Sequence, residues 1–150
     1  MKYSQLLNIQ SGLIGLGKYN IPISYEVAKN LNRVNKVIEE VQKTIIDLHK
    51  KFADKDTNGN VQYETTDRNM IPKFEKNKDN FNLFQEQIKK IDEDDTYKVD
   101  FHKISAKKIE TMLKNEKYQV AGEYLSPLIG SIIEEDEDNK KTPEKKDSEE

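Results

Sequence analysis

The chain has 150 residues, which is within the usual range for one domain, and its residues are 34% hydrophobic and 35% charged with a net charge of -3. No stretch approaches the roughly 20 apolar residues that a membrane-spanning helix needs, and the absence of cysteine excludes disulfides and thiolate chemistry. Acidic residues concentrate in 134–150, and the rest of the chain shows no basic face of the kind that binds nucleic acid. We therefore expect a soluble, cytoplasmic protein that binds neither membranes nor nucleic acid.

The first predicted element is a short amphipathic helix over residues 4–16. Its apolar residues recur at helical spacing, and Gly15 and Gly17 are expected to end it. Pro22 disfavours helix at the residue before it, so residues 18–23 form a connector. Ser24 is then predicted to cap the next helix with its hydroxyl.

The second helix, residues 24–52, carries the strongest pattern in the sequence. Its apolar side chains alternate between spacings of four and three, as in a heptad repeat: Val27, Leu31, Val34, Ile38, Val41, Ile45, Leu48 and Phe52. A narrow stripe of this kind requires a partner helix, in the same chain or in another. Six of these residues are predicted to bind that partner: Leu31, Val34, Ile38, Val41, Ile45 and Leu48.

A second seam over residues 74–91 is the expected antiparallel partner of this helix. It consists of Phe74, Phe81, Phe84, Ile88 and Ile91, whose spacing favours core packing over the stacking of nucleic-acid bases. Because this seam is the shorter one, part of the long stripe is left for the first helix or for another subunit. Residues 61–63 are predicted to form a short strand after an Asn58-Gly59 turn, and the alternating residues 97–101 are expected to pair with it.

Two short helices and a tail complete the predicted fold. Ser105 caps the first helix, over residues 106–114, and Ser126 with Pro127 begins the second. From residue 134 onward no apolar side chain remains, which predicts a disordered acidic tail over 134–150. The fold class is therefore mainly α with a small β-ribbon. A single helical domain over 1–133 contains a long helical hairpin with a coiled-coil-like seam, a two-stranded ribbon and two short C-terminal helices.

The loop over residues 54–65 matches the beginning of an EF-hand calcium loop. Asp54, Asp56 and Asn58 occupy ligand positions 1, 3 and 5, and Gly59 occupies position 6. Position 12, which should be a bidentate glutamate, is Thr65. The alternative interpretation is a turn whose Asp, Asn and Gly residues serve the backbone. We assign no metal and no cofactor, and keep the three ligand positions as candidates for a degenerate calcium-binding loop.

No catalytic constellation emerges from the remaining residues. His49 and His102 are the two histidines, and Ala53, four residues after His49, excludes an HExxH pair. No nucleophile, base and orienting group can be combined. We therefore predict that the protein is not an enzyme and that both histidines lie on the surface.

Three segments resemble a family of small uncharacterised proteins of tailed phages and prophages of Gram-positive bacteria, often encoded near tail and holin genes. They are residues 21–31 (IPISYEVAKNL), residues 55–61 (KDTNGNV), and the helix after Ile104 together with residues 125–129 (LSPLI). The resemblance extends over about residues 1–133. It implies a phage accessory or virion-associated role, and it assigns no catalytic residue.

From the helical pattern and this resemblance we expect a non-enzymatic interaction protein, located in the host cell or the virion. It would act through helix-mediated contacts with a protein partner, either another protein or a second copy in a homo-oligomer. The calcium-binding module is one alternative. Another is an inhibitor of a host protein, in which the acidic tail imitates nucleic acid.

Overall fold

The computed structural model describes residues 1–66 and 70–135. Its elements, in chain order, are α1 (Tyr3–Leu16), α2 (Ser24–Phe52), β1 (Tyr63–Thr65), β2 (Met70–Pro72), α3 (Lys78–Glu93), β3 (Ile104–Ser105), α4 (Ala106–Leu113), α5 (Gly122–Leu125), a 3₁₀ turn (Ser126–Leu128) and β4 (Ile133–Glu134). The mainly α fold with a small antiparallel ribbon is confirmed. None of the helices in these residues is long and apolar enough to cross a bilayer.

Helix α2 is the element on which α1 and α3 pack, while α5 and the 3₁₀ turn pack on α1. Helix α1 lies antiparallel to its N-terminal part, because Gln10 Nε2 donates to Asn35 Oδ1 over 2.8 Å and the Tyr3 hydroxyl bonds the Gln42 side chain. Helix α3 lies antiparallel to the C-terminal part, beginning where Asn80 Nδ2 donates to the Phe52 carbonyl over 3.2 Å. The expected hairpin of α2 and α3 is therefore present, but α3 covers only one half of the seam and α1 covers the other.

The apolar core lies at one end of this arrangement. Its buried residues come from α1, from α2 as far as Val41, and from the chain between Phe101 and Ile133. Fully enclosed members include Leu6, Leu13, Leu16, Ile23, Val34, Leu128 and Ile132. Within the described chain, no residue from 42 to 100 belongs to this buried cluster.

The ribbon is confirmed and its first strand lies two residues later than predicted, but the predicted pairing with residues 97–101 is wrong. β1 pairs antiparallel with β2, with Tyr63 opposite Pro72, and residues 97–103 form no strand. The predicted alternation is real, since Phe101 is buried and Asp100 is exposed. However, the apolar side of this segment packs on helices, so its backbone bonds side chains of α2 instead of another strand.

Asn30 supplies those bonds from inside the core. Its side chain is fully buried; Nδ2 donates to the His102 carbonyl over 2.8 Å and Oδ1 accepts from the His102 N–H over 2.7 Å. One turn further along α2, the Arg33 guanidinium donates to the Asp100 carbonyl. The extended segment is thus attached to α2 by side chains that complete its backbone hydrogen bonds.

The predicted ends of α1 at residue 16 and of α2 at residues 24 and 52 are confirmed, but the roles given to Gly15 and Ser24 and the start of the last helix are wrong. Gly15 lies inside α1 and Gly17 follows its end. Ser24 is the first residue of α2 and not its cap; its hydroxyl instead accepts from the Ile21 N–H and donates to the Ile21 carbonyl, which fixes the turn around Pro22. The last helix begins at Gly122, so that Ser126 follows it in the 3₁₀ turn.

The helix α4 is confirmed, with the Ser105 hydroxyl accepting from the Lys108 N–H over 3.2 Å. A contact that the sequence did not indicate precedes it: β3 pairs in parallel with β4, Ile104 opposite Ile133. Glu134, the first residue of the predicted tail, lies in β4 and forms an ion pair of 2.6 Å with Lys103. The predicted disorder of residues 136–150 lies outside the described residues.

Candidate interaction surface

The structure divides the six predicted partner-binding residues into two groups. Val34, Ile38 and Val41 are buried in the core of this same chain, on the part of α2 that α1 covers. The other three, Leu31, Ile45 and Leu48, are half-buried. Helices of the same chain therefore bury one half of these residues and cover the other half only partly, and no single helix pairs with the seam along its whole length.

We call residues 42–96 the arm: the C-terminal part of α2, the ribbon, α3 and the turn after it. In the described part of the arm, the buried residues are Ala53 and Asp54, and α3 has no buried residue at all. By contrast, α1 is a shorter helix in which half of the residues are buried. The arm thus packs far less tightly than the rest of the molecule.

A cluster of rings holds the arm together. Phe74 lies 5.4 Å from Phe81 and 5.0 Å from Phe84 between ring centroids. His49 of α2 lies 5.5 Å from Phe84 and 5.9 Å from Tyr63. The predicted core packing of these phenylalanines is wrong: Phe74 precedes α3, Phe74 and Phe84 are only partly buried, and Phe81 is exposed.

His49 differs from the predicted surface histidine, because it sits half-buried in this cluster. Burial against the rings lowers the pKa of His49 below its usual value, since an imidazolium is poorly solvated there. This environment could not be predicted from the residues near His49 in sequence, because the neighbouring rings come from the ribbon and from α3. His49 therefore acts as an aromatic packing residue at neutral pH.

In the loop that resembles an EF-hand, the carboxylates of Asp54 and Asp56 accept hydrogen bonds from backbone N–H groups. Asp54 Oδ2 accepts from the N–H groups of Glu75 and Lys76, over 2.7 and 3.1 Å. Asp56 Oδ1 accepts from those of Asn58 and Asn60, over 2.8 and 2.9 Å.

These bonds support the interpretation of the loop as a turn. The bonds from Asn60 are the main cause that lowers the pKa of the Asp56 carboxyl. Gly59 adopts a φ of 83°, which glycine tolerates best. Across residues 1–66 and 70–135, no group of three His, Asp or Glu side chains is placed to hold a metal ion. Asp54 consequently ties the end of α2 to the segment that leads into α3.

Large apolar side chains are exposed on several parts of the arm. Ile46 lies on α2 and is 46% exposed, and Leu83 lies on α3 and is 45% exposed. The ribbon adds Met70 and Ile71, and the ring cluster adds Phe81. Outside the arm, Tyr25, Leu113 and Ile129 are exposed as well, and Ile14 on α1 is 48% exposed. Because its exposure nearly equals that of Ile46 and Leu83, Ile14 is the control position for substitutions in the arm.

Two open grooves lie at the core end. One of about 640 Å³ runs between α1 and residues 123–131; its lining is Gln5, Asn8, Ile9, Ser11, Gly12, Glu123, Tyr124, Ser126, Pro127, Ile129 and Ser131. The other, of about 460 Å³, lies beside α4 and is lined by Pro22, Ser105, Lys107, Lys108, Thr111, Met112, Asn115 and Tyr118. Neither lining contains a histidine that could act as a base for its serine or threonine hydroxyls.

Comparisons with protein-family models, with curated proteins and with solved structures found no match.

Proposed function

We propose that this protein is a non-enzymatic interaction protein that docks onto a protein partner through its arm. The observation that carries the proposal is the uneven burial of apolar residues: a dense core at one end, and an arm with exposed apolar side chains and almost nothing buried. Exposed apolar side chains mark a protein interaction site where they form a continuous patch, and the proposal is that those of the arm do so. An arm attached to a rigid core can present such a surface without weakening the core.

The nature of the partner rests on the family resemblance of residues 21–31, 55–61 and 125–129. We propose a component of a phage particle or a host protein, met in the host cell or in the virion. A second copy of the chain is the other protein that the arm could bind. Measuring the molar mass of the purified protein by light scattering separates a homo-oligomer from a monomer that binds a different protein.

Three substitutions of the same kind test whether the arm is the binding surface. Ile46→Glu and Leu83→Glu place a charge on the arm, and Ile14→Glu places the same charge on α1 at nearly equal exposure. Each variant is immobilised and used to capture protein from lysate of cells that carry the phage genes, after circular dichroism has confirmed its helix content.

We expect the two arm variants to lose a protein that both the unmodified chain and Ile14→Glu retain. If light scattering shows that the unmodified chain is a homo-oligomer, we expect the two arm variants to dissociate into monomers and Ile14→Glu to remain assembled. Retention of every bound protein by both arm variants, with an unchanged molar mass, would show that the arm is not the docking surface.

A further inference from the structure

The interface between α2 and α3 is much weaker than the interface between α2 and α1. The residues of α1 that face α2 and the C-terminal segment are fully enclosed, as Leu6 and Leu13 show. The corresponding residues of α3, Phe84, Ile88 and Ile91, are only half-buried. Since apolar stabilisation scales with the area removed from water, α3 gains much less from its contact with α2.

Polar contacts do not compensate for this difference. Within the described residues, the one ion pair of α3, Lys89 with Glu93, lies on the helix itself, and no ion pair joins α3 to α2. The Asn80 amide bonds the Phe52 carbonyl at the first turn. Along the rest of its length α3 is held by partly exposed apolar and aromatic contacts.

The firm attachments lie on either side of α3 and not in it. Before the helix, the buried Asp54 carboxylate binds the backbone at Glu75 and Lys76. After the helix, Asn30 holds His102, and Phe101 is buried in the core. Movement of α3 between these two points leaves both attachments in place. The helix also touches α1, and Ile91 packs against the edge of the core cluster, so detachment gives up these contacts but no buried residue of α3.

Helix α2 also passes without interruption from the core into the arm. The half of α2 that lies in the core is covered by α1, so this half does not need α3 to remain folded. Regions with few buried apolar contacts open at lower free energy than the core and do so as contiguous units.

We propose that α3 is a releasable cover over the C-terminal half of the seam. It detaches from α2 as a unit while the core end stays folded, and this exposes Ile45, Leu48 and Phe52 along one side of α2. The open form presents an apolar helix stripe of the type that binds an amphipathic helix. The opening is a property of this chain alone and does not depend on the proposed partner.

Hydrogen exchange of the full chain, followed by mass spectrometry, tests this directly. We expect the amides of α3 to exchange at least about 100-fold faster than those of α1 and of α2 before Val41, because sub-global opening needs less free energy than global unfolding. Equal protection of α1 and α3 would overturn the proposal.

A matched pair of mild substitutions distinguishes separate opening from a general loss of stability. Ile88→Val removes one methyl group from the α3 interface, and Ile9→Val removes the same group from the buried face of α1. We expect Ile88→Val to accelerate exchange in α3 alone, and Ile9→Val to accelerate it in α1 and the rest of the core but not in α3, each by roughly 2- to 10-fold. If each substitution accelerates both helices equally, the two ends open together and α3 is not a releasable cover. Exchange in the absence of any partner keeps this result independent of the capture experiment.

Discussion

Asn30 shows how a single polar residue can decide the path of a distant segment. Its position on α2 lies beside the apolar seam, and nothing in its neighbours in sequence marks it as buried. The donor and the acceptor of its amide both form hydrogen bonds with the backbone of His102. A buried amide of this kind is stable only because donor and acceptor are both satisfied.

We predict that Asn30→Ala lowers the free energy of unfolding by about 2–4 kcal/mol, because it leaves a backbone N–H and a carbonyl without partners at roughly 1–3 kcal/mol each. Asn32→Ala is the control, since Asn32 lies on the same helix and is exposed. Urea denaturation measures both. Two variants that agree within about 0.5 kcal/mol, the usual range for surface substitutions, would contradict the assigned role of Asn30.

Gly15 is needed for space and not for a turn. A Cβ atom at this position would lie 2.2 Å from Cδ1 and 2.5 Å from Cγ of Tyr124. The sequence suggested a helix end because glycine is common there. The contact with Tyr124 comes from a residue more than a hundred positions away, which no local pattern indicates.

We predict that Gly15→Ala lowers the free energy of unfolding by about 1–3 kcal/mol, the usual cost of overpacking, despite the better helix propensity of alanine. Gly122→Ala serves as its control, because a Cβ there meets nothing within 4 Å. Thermal unfolding of the two variants gives the comparison. If Gly15 makes room for Tyr124, then Tyr124→Ala should lower the free energy of unfolding less in the Gly15→Ala variant than in the unmodified chain. A double-mutant cycle measures this difference.

At the scale of elements, the helices were largely predictable and the strands were not. The spacing of apolar residues placed α1, α2, α3 and α4 within a few positions. The residues of 97–101 alternate as a strand would, yet they pack on α2. A period of two indicates which side chains are buried, but it does not say what buries them.

The arm should respond to pH through His49. Because burial lowers its folded-state pKa, the unfolded chain binds more protons between that value and the ordinary value of 6.5. The contribution of His49 to stability is therefore fully present above about pH 6.5 and declines as the pH falls through that value.

We accordingly predict that unfolding midpoints in urea decrease between pH 7.5 and 5.5, and that His49→Phe reduces this decrease. Phenylalanine retains the ring contacts with Tyr63 and Phe84 and cannot be protonated. Equal losses in the unmodified chain and in the variant would show that His49 is not responsible for the pH response.

On the scale of the whole molecule, the two halves of the heptad seam have different surroundings. Ile38 is 2% exposed in the core that α1 closes, whereas Ile45 is half-buried and lies at the edge of that core. A seam that looks uniform in sequence is therefore divided by the tertiary structure. The difference arises because α1 and α3 cover α2 with unequal amounts of apolar surface.

Aspartate at these two positions should consequently have different effects. Ile38→Asp buries a charge without a partner, which costs more than about 4 kcal/mol and is sufficient to unfold a small domain. Ile45→Asp should loosen α3 and leave the contact of α1 with α2 folded. Circular dichroism and the hydrogen exchange of α1 measure both effects. Loss of the folded core in Ile45→Asp would show that the two halves of the seam are not independent.

The sequence by itself determined the helical class, the long seam of α2 and the helix that packs on its C-terminal half, because these follow from the spacing of apolar residues along single elements. It could not determine that α1 covers the first half of the seam, that Asn30 holds the extended segment, or that Gly15 makes room for Tyr124. Each of these depends on residues far apart in the chain, whose meeting is decided when the elements compete for the same apolar surface. For the same reason, the contrast between a dense core and an exposed arm, on which the proposed function rests, appears only in the tertiary structure.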